Sequence, residues 1–158
     1  MRKVIANTTP LIALAGIGQL ELLHHLYEKI LIPQAVMDEI ESEPAHTQVM
    51  NAKWIQIKKI AHSERKSFYK ARLHSGEVEV IILAEEEKAD LVIMDDNNAK
   101  KTAKYIGLNV TGTFGILIKA KQTGLIPAVA PLLEKLIDDG FYVDETTKAL
   151  ALKKAGEN

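Results

Sequence analysis

The chain has 158 residues, 47% hydrophobic and 26% charged, with a formal net charge of −1 at pH 7 and no cysteine. That balance fits one globular domain with a sizeable core. It excludes a chain-wide basic grip on nucleic acid, a disulfide framework, a thiolate metal site and a cysteine nucleophile.

Residues 3–7 (KVIAN) form a short apolar run and read as a first strand. Arg2 and Lys3 precede its apolar residues, as in a signal peptide, but Asn7, Thr8, Thr9 and Pro10 interrupt the pattern. No apolar stretch approaches the roughly 20 residues of a membrane span, so a cytoplasmic protein is expected. Pro10 suits the first turn of a helix, where its missing N–H costs nothing. Apolar residues at helical spacing continue to residue 27, with Gly16 and Gly18 kinking or dividing the stretch.

Residues 29–33 make a second strand closed by Pro33, and a helix over 34–43 follows. WIQIKKI (54–60) alternates like an edge strand, and 63–73 reads as a basic helix or helical turn. Ser75 is the expected N-cap of a helix over 77–89. Residues 90–94 form a buried strand, 97–106 a helix ended by Gly107, and 108–110 another short strand. Helices near 113–123, 128–139 and 144–155 complete the chain. This alternation predicts a three-layer α/β/α fold around a central, mostly parallel sheet. Residues 1–158 are expected to form a single domain, with the helices of 126–158 packed on it.

Ligands of such sheets bind beyond the carboxyl ends of the strands. Asn7 ends the first strand, Glu39 lies in the helix after the second, Glu77 and Glu79 open the central helix, and Asp95 and Asp96 follow the strand LVIM. Oxygen donors without cysteine or suitably spaced histidine suit a hard cation, Mg²⁺ or Mn²⁺, and Mg²⁺ takes only one or two direct carboxylates. Each acid also has a plainer use. Either aspartate can cap the helix over 97–106, although a helix end uses only one cap, and Glu77 is favourable near a helix N-terminus without any further role. Lys100, Lys101 and Lys104 follow the acidic pair and could meet substrate phosphates. Arg65, Lys66, Lys70 and Arg72, interleaved with Phe68 and Tyr69, make a second basic stretch suited to unpaired bases. The plainer reading of both stretches is a solvated helix face. The glycines of TGTFG fit no Walker motif and read as helix–sheet packing.

Four of these stretches together resemble the PIN domain, a family of Mg²⁺- or Mn²⁺-dependent ribonucleases that includes the toxins of bacterial and archaeal toxin–antitoxin pairs. VIANTTPLIAL (4–14) matches its apolar strand ending in Asp, then Thr or Ser, then an apolar helix. PQAVMDEI (33–40) matches P-x-x-V-x-x-E and aligns Glu39; EVEVIILA (77–84) matches the helix opening D-A-x-x-A-A-x-A and aligns Glu77; LVIMD (91–95) aligns Asp95. NTTPLI, GEVEVIILA, DDNNAK and GTFGIL also occur in the order of one PIN-like branch, and the similarity covers roughly residues 3–125. The resemblance implies RNA phosphodiester hydrolysis with Glu39, Glu77 and Asp95 in catalysis. Asn7, Glu77, Asp95 and Asp96 would stand at the metal, and Thr9 beside the substrate. It further implies an antitoxin partner and a homodimer.

Two departures stand out. Asn7 occupies the place of the usual first Asp, and Ile93 replaces the usual Thr or Ser. An Asn carbonyl ligates Mg²⁺ without contributing charge, so Asp96 or Glu79 would compensate. The alternative is a PIN-like scaffold that binds nucleic acid or protein without cutting. A phospho-acceptor receiver domain fits less well, because its acidic pair follows the first strand rather than a late one.

Overall fold

A computed structural model of the chain describes residues 2–69 and 73–157. Five short strands build one sheet: β1 (Val4–Ala6), β2 (Ile30–Ile32), β3 (Ile55–Ile57), β4 (Leu91–Ile93) and β5 (Val110–Thr111). Their order is β3-β2-β1-β4-β5 and every pairing is parallel. Helices cover both faces, giving the expected three layers. The central strands are uninterrupted apolar runs because both of their faces are buried: Val4, Ile5 and Ala6 pair with Leu91, Val92 and Ile93, and all six are core residues.

The chain steps outward from β1 through β2 to β3, then returns to lay β4 on the other side of β1. Strand order therefore reverses between β1 and β4, and the carboxyl ends of these two strands flank the resulting crevice. The backbone N–H of Asn7 donates to Ile93 O at 2.8 Å, which holds the residue after β1 against the end of β4. Ile93 itself is fully buried, so its side chain serves the core.

The helical stretch of 10–27 is divided into α1 (Thr8–Gly16) and α2 (Glu21–Tyr27), with Gly18 at φ +72° in the left-handed region that a side chain disfavours. Helix α3 (Gln34–Glu39) ends earlier than the expected residue 43, and a further helix, α4 (Ala45–Asn51), follows it. Only Ala45 and Val49 of α4 are buried, too sparse an apolar pattern to read in advance. Residues 63–68 form a 3₁₀ turn. Helix α5 (Ser75–Glu87) starts at the residue expected to cap it, which makes His74 the N-cap. The remaining helices are α6 (Asn97–Tyr105), α7 (Thr113–Gln122), α8 (Ala130–Asp138) and α9 (Glu145–Lys154). Among the described residues no helix is long and apolar enough to cross a membrane.

Candidate metal and nucleic-acid cleft

Asn7 caps α1 by position but not by hydrogen bond: its side chain makes no capping contact. It is 4% exposed, and its Oδ1 has no hydrogen-bond partner among the described residues. An unpaired buried acceptor costs on the order of 1–3 kcal/mol, so it demands an explanation.

The two aspartates after β4 divide their duties. Asp96 caps α6, its Oδ2 accepting from Ala99 N at 2.9 Å. Asp95 points instead to the start of α7: Thr113 donates its N–H to Oδ1 at 2.8 Å and its hydroxyl to Oδ2 at 2.6 Å. A carboxylate offers about four acceptor positions, so Asp95 is oriented by Thr113 without being saturated. Gly112 permits this approach, since a Cβ there would meet Asp95 Oδ1 at 2.7 Å and Lys100 Nζ at 2.9 Å. The glycine of the GTFG run thus belongs to the surroundings of Asp95. Its proximity to that acid was the signal missing from the sequence, where the two are 17 positions apart.

Glu77 opens α5 and is 6% exposed, with Oε1 accepting from His74 N at 3.0 Å. Burial pushes its pKa up, against the His74 amide that lowers it, and the nearby charges of Asp96 and Glu39 push it up further. Glu39 reaches the same helix end. Thr8 Oγ1 donates to its Oε1 at 2.7 Å and Gly76 N to its Oε2 at 3.2 Å, and a Cβ on Gly76 would overlap that carboxylate. Glu79, considered above as a compensating acid, is committed elsewhere: Ala35 N donates to Oε1 at 3.0 Å and Lys66 pairs with Oε2 at 2.9 Å.

Thr9, Glu77, Asp95, Asp96 and Lys100 line one cleft of about 690 Å³. Phe114 and the α8–α9 loop, Gly140 to Asp144, which sequence reasoning assigned no role, also line it. Asn7, Glu39, Lys101 and Lys104 are not among the lining residues; both lysines lie exposed on α6. In the second basic stretch, Arg65 and Lys66 are consumed by α5, Arg65 pairing with Glu85 at 3.1 Å and Lys66 with Glu79. Lys70 and Arg72 lie outside the described residues.

Among the described residues no group of three or more Asp, Glu or His converges tightly enough to cage an ion. Mg²⁺ does not need a cage: one or two carboxylates with several waters suffice. The orphaned Asn7 Oδ1 and the crowded, buried carboxyl of Glu77 are donors that such a water-rich cation would satisfy.

A family model described as a PIN domain matches residues 3–157. No curated protein matches the chain. The match extends through α8 and α9, beyond the stretch whose motifs are legible in the sequence.

Proposed function

The chain belongs to the PIN-domain family, a nuclease-like family generally dependent on divalent metal, and on that premise we propose that it is a Mg²⁺- or Mn²⁺-dependent endoribonuclease. The toxin role in a toxin–antitoxin pair, with RNA as substrate, an antitoxin as partner, a homodimeric assembly and a cytoplasmic location, completes this reading. The observation that carries it is the gathering of Glu77, Asp95 and Asp96 with Thr9 and Lys100 on one cleft where strand order reverses.

Asn7, Glu77, Asp95 and Asp96 would hold the cation. Bound there, it supplies polarisation of a phosphoryl oxygen and a water acidic enough to ionise near neutral pH. Thr9 would orient the scissile phosphate. Lys100 would stabilise the charge growing on the phosphoryl oxygens, and Lys101 and Lys104 would contact phosphates further along the strand. Glu39, held by Thr8 and the Gly76 amide, would accept the proton of the attacking water. The leaving oxygen then departs in line with that water.

The test pairs the wild-type protein with Asp95→Asn and Glu77→Gln on single-stranded RNA in Mn²⁺. Metal-dependent cutting by the wild type that both variants lose is the expected result; equal cutting by all three identifies a contaminant and sinks the assignment. Independently of activity, Mn²⁺ should raise the melting temperature of the wild type more than that of Glu77→Gln. Asn7, which brings no charge, favours one second reading, a scaffold that grips RNA without cleaving it. RNA bound by the wild type but never cut would establish that reading instead.

A further inference from the structure

The cleft that holds the carboxylates is also lined by the aromatic residues Phe114, Phe141 and Tyr142. Phe114, at the start of α7, packs edge-on against Phe141 with ring centroids 5.5 Å apart and planes at 60°, a geometry aromatic pairs favour. The next residue, Tyr142, is 85% exposed although it lines the same cleft as Glu77 and Asp95.

The loop that carries this ring is held at both ends. At the end of α8, Gly140 N donates to Ile137 O at 3.0 Å and Phe141 N to Leu136 O at 2.9 Å, with Gly140 at φ +94°. That pair of hydrogen bonds closes a helix through a left-handed glycine. On the other side Asp144 caps α9, its Oδ1 accepting from Thr147 N at 2.6 Å. Phe141 is pinned by its partner ring while Tyr142 is presented to solvent at the mouth of the cleft. A large apolar ring left bare on an anchored loop has a contact face already ordered, so little entropy is lost when something stacks on it.

We propose that Tyr142, which follows the paired Phe141 and lines the same cleft, is a stacking platform for an unpaired nucleobase. This rests on the ribonuclease reading above and adds to it a residue that positions the strand. Duplex RNA keeps its bases within the stack, whereas a single strand can turn a base onto an exposed ring while Lys100 meets the adjoining phosphate. A base on Tyr142 would thread the neighbouring phosphodiester past Glu77 and Asp95.

The experiment measures binding of fluorescein-labelled oligouridine, and of the same oligomer made abasic, to wild-type protein, Tyr142→Ala and Tyr142→Phe, with EDTA present so that nothing is cut. Wild type should prefer the base-bearing oligomer by roughly 5- to 150-fold, the range that one base stacked on an aromatic ring commands. Tyr142→Phe should keep the preference and Tyr142→Ala should lose it, while all three bind the abasic strand alike. An equal preference in wild type and Tyr142→Ala overturns the platform but leaves the nuclease reading intact. Failure of the wild type to bind either strand, together with failure to cleave in Mn²⁺, overturns both. Equal binding of duplex and single strand by the wild type also overturns the platform, because paired bases are not free to stack on Tyr142.

Discussion

At the amino end of α5, Glu77 is buried beside other carboxylates and forms no ion pair among the described residues. At the carboxyl end, Glu85 accepts from Arg65 and Tyr69, Glu86 from the backbone N–H groups of Ala61 and His62, and Glu87 pairs with Lys58 at 2.7 Å and Lys3 at 3.4 Å. The Lys58 hydrogen bond pulls the Glu87 pKa down, whereas burial and neighbouring acids push that of Glu77 up. One helix thus holds both kinds of glutamate. Where charge is matched, the acid fastens a loop to the helix. Where it is left unmatched, the folded chain keeps an electrostatic debt that a cation could relieve.

The strongest way to break this contrast is Glu77→Gln. Cleavage should fall on the order of 10²- to 10⁴-fold, as expected for the loss of an essential acidic group, while the metal-free protein should become more stable at neutral pH. The sign follows from the raised pKa: stability associated with protonated Glu77 is fully present below its ordinary value of 4.5 and fades as pH climbs through the raised value. Thermal melts of both proteins across that range, with and without Mn²⁺, check it; parallel curves would mean that Glu77 is not strained.

Gly76→Ala sharpens the comparison next. Its Cβ would expel the Glu39 carboxylate from the start of α5, yet alanine gains up to about 1 kcal/mol over glycine in a helix. Cleavage should drop by about 10- to 100-fold, the usual cost of disturbing a supporting contact, without loss of melting temperature. A variant that is both stable and fully active would remove Glu39 from the mechanism.

A smaller effect separates the two basic stretches. Among the described residues Lys100 forms no ion pair, whereas Lys66 is bound to Glu79. Lys100→Ala should weaken RNA binding and flatten the salt dependence by about 0.7 in log–log slope, one single-strand phosphate contact. Lys66→Ala should leave that slope untouched and lower stability instead. The same slope change in both variants would erase the distinction.

The smallest effect on the cleft is expected from the best-matched carboxylate of all. Glu157 accepts from Val129 N at 2.7 Å, Ala130 N at 3.0 Å and Lys121 Nζ at 2.9 Å, and these bonds hold its pKa down to about 2. Its contribution is therefore present above pH 4.5 and disappears as the pH falls toward about 2. Glu157→Gln should cut RNA normally while losing stability at neutral pH and showing a flatter acid denaturation profile.

Much of this was legible in one dimension. Apolar runs bounded by Pro33, Gly107 and the Asp95-Asp96 pair announced strands and helices, because periodicity and caps are local properties. The alternation of strands and helices pointed to the carboxyl ends of the strands, where Asn7 and Asp95 stand, because a parallel sheet must deliver its strand ends to one side. Local pattern failed where it was sparse, as in α4, or where two helix starts competed, as at His74 and Ser75.

What the sequence determined by itself was the alternating α/β architecture and the set of acids at its strand ends. Only the tertiary structure decided which charges are spent and which remain. Glu77 and Glu79 are two residues apart, yet one is buried against acids and the other is neutralised by Lys66 and the Ala35 amide. Asp95 and Asp96 are adjacent, yet they fasten different helices. The aromatic wall from the α8–α9 loop was equally unreadable. Electrostatic matching and stacking depend on distances across the fold, and those are set by packing between segments far apart in the chain.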